Sequence, residues 1–440
     1  MIVPGSRLLW LVALALLPGA AVAAFVPWTT SIAAGAAAAA LALAAADAFS
    51  SRGRLDGVRV ILPEIVRLAK DRAAVFEVRV ERARDTEEAL RLGFAFPSEI
   101  VPENEDLVTI LPAGSMASRL DWRCTPRQRG SYRLDRCYLE TTSLLGFWSI
   151  RAATPVDCEI RVYPNLLSDH ESAASLLLNR GQVGSHMQRQ VGQGREFEKL
   201  REYSPGDSFD EIHWKATARR GHPITKVFQI EKTQEVYVLI DSSRLSARAS
   251  GGDSILERFI TAGLLLGVAA ERQGDRFGLI SFSDRVERFV PAKSGKRHYC
   301  VCRDALYTVK ERLVSPDFYE LCTFVRLRLR RRSLLLVLTE LDDPVLAESF
   351  ERSIHLISRQ HLVLVSALKP SGLAPLFQGA PVSSESDVYS SLASHMRWQK
   401  LQEVSKRLRH SGVQFSLLEP ENMAIQLAAQ YRSVKQRQLL

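Results

Sequence analysis

Glu235-Val236-Tyr237-Val238-Leu239-Ile240-Asp241-Ser242-Ser243 decides the fold of this 440-residue chain. An uninterrupted apolar run before a charged turn suits a strand covered on both faces, because a half-exposed strand would alternate. The pattern then repeats. Ile255 to Glu271 has helical periodicity, with Leu256, Phe259, Ile260 and Leu264 on one face. Arg276–Phe282 reads as a second strand, with Val286–Val290 as its edge partner. Helical segments near 298–313 and 317–329 lead to a third apolar strand, Leu334–Leu338, ending at Thr339-Glu340. A helix over 344–359, a strand over 361–365, a helix over 393–410, a strand over 413–418 and a helix over 423–437 follow. Apolar strands alternating with helices predict a doubly wound α/β domain over residues 231–440, its parallel sheet covered on both faces. Ligands of such sheets bind beyond the carboxyl ends of the strands, where Asp241 and Glu340 both fall.

At the other end of the chain, Leu8 to Val26 is apolar except for Pro18 and Gly19, and Ser31 to Phe49 is nearly all alanine and leucine until Asp47. Each stretch approaches the roughly 20 residues a membrane-crossing helix needs. Residues 1–50 are therefore expected to form a transmembrane helical hairpin, whose alanines let the two backbones approach closely. Arg7, Arg52 and Arg54 flank the pair while the link between the helices carries no charge. The positive-inside rule then places both ends, and all that follows, on the cytoplasmic side of a two-pass inner-membrane protein. Ala21-Val22-Ala23 also resembles a signal-peptide cleavage site, which would export the remainder, but that reading leaves the second apolar segment unexplained.

Residues 55–165 carry short alternating runs such as Val75-Phe76-Glu77-Val78-Arg79-Val80 and Cys158-Glu159-Ile160-Arg161-Val162, with Pro and Gly between them. They predict a small antiparallel β-sandwich with no catalytic constellation. Hydrophobic content of 46% and charged content of 24% exclude a disordered chain or a many-pass membrane protein. Six cysteines without CxxC spacing exclude a disulfide scaffold and a zinc ribbon, and read as reduced structural thiols. The net charge of +9 includes a dense run, Arg326, Arg328, Arg330, Arg331 and Arg332. No aromatic residue interleaves that run, so it reads as a rim facing water or anionic membrane lipids and not as a nucleic-acid surface. It precedes the Leu334–Leu338 strand and so belongs at the sheet's amino end, opposite Asp241.

Residues 166–230 form a connector, expected to be helical over 166–195 with a Gly/Gln-rich end. Leu200-Arg201-Glu202-Tyr203-Ser204-Pro205-Gly206-Asp207 follows, then Ile212-His213-Trp214-Lys215-Ala216-Thr217-Ala218-Arg219-Arg220-Gly221. Ser-Pro-Gly-Asp is a strong turn, and Asp207 or Asp210 suits the cap of a short helix. His213 with Asp207 or Asp210 admits a metal-dependent hydrolase reading. The preferred alternative is structural: Arg201, Asp207, Trp214, Lys215 and Arg219 as a buried ion-pair and stacking network.

This run resembles the domain-of-unknown-function-58 family, whose pattern is matched at Arg201, Glu202, Tyr203, Pro205, Gly206, Asp207, Ile212, Trp214, Lys215, Ala216, Ala218, Arg219, Arg220, Gly221, Asp241 and Ser243. Arg129-Gly130-Ser131-Tyr132 also fits the family's Arg-Gly-x-Tyr. The resemblance implies a two-helix N-terminus, a β-rich middle and a C-terminal von Willebrand factor A-like domain. It further implies action beside a MoxR-type AAA+ ATPase in assembling or activating client proteins. In the von Willebrand factor A fold a metal-ion-dependent adhesion site begins with Asp-x-Ser-x-Ser. Here Asp241 and Ser243 stand at the first two positions and Leu245 at the third, with Glu340 where an aspartate is usual. A Mg²⁺ site of Asp241, Ser243 and Glu340 is thus degenerate, and a strand-end turn with Asp241 accepting backbone amides is preferred. The resulting expectation is a membrane-anchored adaptor without enzymatic activity.

Overall fold

The computed structural model describes residues 1–25, 30–82, 88–112, 116–166, 191–204, 208–229, 233–250, 252–370, 372–373, 375 and 385–437. The chain divides into two compact units, Met1–Asn165 and Leu166–Leu440.

The C-terminal unit holds the sheet to which Asp241 belongs. Its strands are β1 (Glu235–Asp241), β2 (Arg276–Phe282), β3 (Val286–Lys293), β4 (Leu334–Leu338), β5 (Leu362–Leu368) and β6 (Gln414–Leu418). They lie in the order β3-β2-β1-β4-β5-β6. All neighbours run parallel except β2 and β3, so the edge strand alone is reversed. The helices are α1 (Ile255–Arg272), α2 (Lys296–Leu306), α3 (Phe318–Arg328), α4 (Pro344–Ser358), α5 (Glu385–His410) and α6 (Met423–Gln436). Local signals set their starts: Ser254 accepts from the Glu257 amide, Asp317 from Tyr319 and Glu320, and Asp343 from Val345 beside Pro344.

Successive side chains of β1 feed two separate cores, as strand pleating requires. Val236, Val238 and Ile240 pack with α1, α2 and α6, whereas Tyr237 and Leu239 pack with α3, α4 and α5. At the amino end of the sheet one buried carboxylate ties three elements together. Asp275 Oδ1 accepts the Gln234 amide at 3.1 Å, and Oδ2 accepts the Tyr431 hydroxyl and, at 2.7 Å, the Lys435 ammonium. Helix α6 is thereby fastened to the starts of β1 and β2.

The same unit contains the strand Val191–Glu202, paired antiparallel with Ile224–Gln229. This corrects the expected helical connector at its end: residues 191–195 extend into the hairpin. Residues 167–190 lie outside the described residues.

The N-terminal unit contains two sheets that share one core. One orders Ile2–Pro4, Trp148–Tyr163, Gly130–Thr142, Glu88–Phe94 and Asp106–Leu111, and the other Arg59–Ile61, Ala74–Glu81, Ala117–Pro126 and Ile100–Pro102. Phe76, Phe94, Phe96 and Trp122 cluster between them, with Phe94 and Trp122 ring centroids 4.9 Å apart. The sandwich is not wholly antiparallel as expected, because Ile65–Ala69 runs parallel to the end of Trp148–Tyr163. Near Pro155, which has no amide hydrogen to donate, the pairing of Trp148–Tyr163 with Gly130–Thr142 shifts register. All six cysteines are free, and five are buried.

Thr30–Ser50 is a helix of 21 residues, long and apolar enough to cross a membrane. The first apolar stretch is helical over Ser6–Leu11 and Leu17–Phe25, with a π turn at Val12–Leu16 between them. Pro18 accounts for that turn: it lacks the amide that would bond residue 14 and its ring crowds that carbonyl. The link at 26–29 lies outside the described residues.

Candidate functional site

The parallel register of β1 and β4 pairs Ile240 with Leu338, which brings Asp241 beside Thr339. Asp241 is fully buried. Its Oδ1 accepts the Ser243 amide at 2.8 Å and its Oδ2 the Thr339 hydroxyl at 2.6 Å. Burial raises the Asp241 carboxyl above its ordinary range, against those hydrogen bonds. Glu340 is also buried, and its Oε1 accepts the Leu368 amide at 2.8 Å. Burial pushes its pKa up to about 7, with the charges of Asp342 and Asp241 adding to the rise and Arg248 opposing it.

The turn is roofed by its own chain. Ser242 donates its amide and hydroxyl to Phe282, Arg312 donates its amide to Ser242, and Arg244 donates its amide to Val314. Three arginines ring the roof, each held by acids. Arg248 makes a two-pronged bond to Asp342 at 2.7 and 3.0 Å, Arg312 meets Asp284 at 2.6 Å, and Arg244 lies 3.7 Å from Asp343.

This donor set does not suit Mg²⁺, which demands near-octahedral oxygen coordination. Both Asp241 oxygens hold hydrogens, the Ser243 hydroxyl sits 3.4 Å from the Leu245 amide, and Leu245 supplies no donor. Glu340 is turned to the β5 backbone, Asp342 is held by Arg248, and Asp343 caps α4. Among the described residues no three His, Cys, Asp or Glu side chains are grouped to hold a metal. Thr339, which sequence reading marked only as a strand end, is the closest partner of Asp241. Its signal was the position directly after an apolar strand.

The signature segment has a different character. His213 donates its amide to Ile224 at 2.7 Å, and its Nδ1 accepts the Ala216 amide, capping the short helix Trp214–Arg220. Gly221 ends that helix at φ 73°, a left-handed conformation that glycine adopts without a Cβ penalty. The Thr217 hydroxyl accepts the Ile224 amide at 3.0 Å, while Ile212 and Ile224 are buried. Tyr203 donates its amide to Pro223 and stacks on Phe209, with centroids 6.1 Å apart.

The expected buried network is not what these contacts build. Trp214 is 69% exposed and Phe209 74%, and Lys215, Arg219 and Arg220 are exposed as well. A seven-residue helix on a two-stranded hairpin has little to bury, and Ile212 with Ile224 already anchors it. Arg201 bonds the Ser204 hydroxyl at 3.2 Å. Pro205, Gly206 and Asp207 lie outside the described residues. His213, the centre of the hydrolase reading, has Nδ1 committed to capping. In the sandwich, the Tyr132 hydroxyl of Arg129-Gly130-Ser131-Tyr132 donates back to the Gln128 and Arg129 carbonyls, which gives that motif a structural role.

With hairpin, short helix and sheet in view, residues 199–374 match the model of a family described as protein of unknown function DUF58. The match runs from the signature hairpin past β5. Uncharacterized proteins of Mycobacterium tuberculosis (strain ATCC 25618 / H37Rv) and Mycobacterium bovis are each 24% identical over 193 residues, 42% of this chain and 59% of theirs. The chain thus spans about three fifths of the length of the curated relatives it matches. An aerotolerance-related membrane protein from Bacteroides fragilis aligns over 45% of this chain and 97% of its own, at 12% identity and a TM-score of 0.27. A PapD-like domain of human CEP192 aligns over 25% and 87%, at 10% identity and a TM-score of 0.19.

Proposed function

We propose that this chain is a membrane-anchored, non-enzymatic adaptor that presents its signature helix to a MoxR-type AAA+ ATPase during assembly or activation of client proteins. The observation that carries the reading is the exposure of Trp214, a residue of the matched pattern, with Phe209 exposed five residues before it. A segment that served packing alone would bury its tryptophan; an exposed tryptophan beside arginines has the composition of an interface hot spot.

Three further features support it. The strand order, the single reversed edge strand and the helices on both faces suit a von Willebrand factor A-like domain. Its Asp241 turn is closed and hydrogen-bonded, as a degenerate adhesion site would be. In the N-terminal unit, residues before the first helix and the last turn of the second both meet the segment Ser143–Trp148, which favours a two-pass hairpin with both ends on one side of the membrane, and the flanking arginines favour the cytoplasmic side of an inner membrane. The five arginines from Arg326 to Arg332 are all exposed where the chain enters β4, which suits a rim facing anionic lipid.

The reading predicts that an AAA+ ATPase co-purifies with the detergent-solubilised chain. Trp214→Ala should reduce the recovered ATPase roughly 30-fold or more, an anchor tryptophan being worth about 2 kcal/mol or above. Hydrogen exchange of the C-terminal sheet should not change in that variant. Undiminished recovery by Trp214→Ala, or no ATPase with either protein, would sink the proposal.

A further inference from the structure

Strands Gly130–Thr142 and Trp148–Tyr163 are joined by Ser143-Leu144-Leu145-Gly146-Phe147, which with Trp148 forms the tip of this hairpin. A hairpin tip in water would carry polar side chains, yet Leu144 is 69% exposed and Leu145 is exposed beside it. The polar groups of this tip are turned inward, onto the apolar helix Thr30–Ser50. The Ser143 hydroxyl donates to Asp47 Oδ2 at 2.5 Å, the Leu145 amide to Asp47 Oδ1 at 3.1 Å, and the Trp148 indole to the Ala44 carbonyl at 2.8 Å. Asp47, the one charged residue of that helix, is 3% exposed.

Carbonyls of the tip and its base also accept from the chain. Arg54 donates to Thr142, Arg7 to Leu145, and the Gly5 amide to Phe147. The Arg7 stem lies where a Cβ on Gly146 would fall, and Gly146 has φ +77°, so glycine is required there. A tip with apolar side chains outward and polar groups tied inward is built for a medium that offers few hydrogen bonds.

The helix sets its depth. Residues 30–46 rise about 25 Å at about 1.5 Å per residue, somewhat less than the roughly 30 Å hydrocarbon core. Asp47, and the tip bonded to it, therefore fall at the hydrocarbon boundary when the helix spans. Trp148 and the arginines Arg7, Arg52 and Arg54 at that level are the residue types found at a membrane–water interface.

The geometry points to the Ser143–Trp148 tip as a membrane-interface finger: Leu144 and Leu145 enter the leaflet beside the helix while Asp47 holds the sandwich to it. This rests on the membrane reading above, and the test separates the two. Full-length protein carrying Cys300→Ser, which removes the exposed cysteine, is given Leu144→Cys, Leu41→Cys or Val108→Cys, all at exposed positions. Each variant is spin-labelled in nanodiscs of phosphatidylcholine and phosphatidylglycerol, and collisions with oxygen and with a water-soluble nickel chelate are compared. The label at 41 should lose nickel collisions fully, that at 144 should lose most of them, and that at 108 should keep them. A label at 144 as open to nickel as that at 108, with 41 protected, would overturn the finger and leave the anchor standing. Nickel access at 41 as well would overturn both.

Discussion

Replacing Asp275 with alanine should destabilise the C-terminal unit by roughly 3–5 kcal/mol, the usual cost of removing one partner from a buried ion pair. The carboxylate is almost fully buried and serves three donors, the Gln234 amide, the Tyr431 hydroxyl and the Lys435 ammonium. Alanine leaves the Gln234 amide and the Tyr431 hydroxyl without this acceptor, and leaves the lysine, only 23% exposed, with the Gln273 carbonyl at 3.2 Å but no counter-charge. Hydrogen exchange of the β4 and β5 amides reports this unit alone and is the measurement to make. Lys435→Met in the Asp275→Ala background should recover part of the loss by removing the stranded charge. An Asp275→Ala protein whose core amides exchange at the parental rate would show that α6 is held by its apolar contacts alone.

Glu340→Gln should have the opposite effect, and only at neutral to alkaline pH. The folded-state pKa of Glu340 is raised from 4.5 to about 7. The folded form therefore keeps its proton where the unfolded form has released it. Its contribution is fully favourable below about pH 4.5 and is lost as pH rises through about 7. At about 1.4 kcal/mol per unit, the loss amounts to about 3 kcal/mol by pH 8. Glutamine keeps the oxygen that accepts the Leu368 amide and has no proton to lose. The variant should thus match the parent near pH 4.5 and exceed it by about 3 kcal/mol at pH 8, again by exchange of sheet amides. A variant less stable than the parent at pH 8, or one that loses a Mg²⁺-induced stabilisation, would show that the carboxylate serves a cation after all.

The sheet was legible because its strands are apolar on both faces and its helices begin at Ser254, Asp317 and Asp343, side chains whose capping chemistry is local. The place of Asp241 and Glu340 at strand ends followed from the same pattern. Their partners did not follow. Thr339 reaches Asp241 across a strand pair, and Asp275 bonds Lys435 from 160 residues away along the chain, and neither contact leaves a mark in the adjacent sequence. Asp47 likewise read as the polar end of an apolar helix, although its acceptors serve Ser143 and Leu145. Residues up to 195 read as helical in the sequence, but the strand Val191–Glu202 begins at Val191, with a register shift between Val191 and Glu196 that takes up Gly192 and Gly194. The signature segment misled for a simpler reason. Tryptophan and arginines close in sequence suggest mutual burial, while the hairpin beneath offers room for Ile212 and Ile224 only.

The proposed function depends on what the exposed Trp214 face touches in the cell. A photoreactive phenylalanine analogue at position 214 of the full-length chain, activated in intact cells, reads that contact directly. The adaptor account predicts a crosslink to an AAA+ ATPase, competed away when unlabelled parental chain is co-expressed. A crosslink confined to this same chain, or to proteins that vary from one preparation to the next, would contradict it.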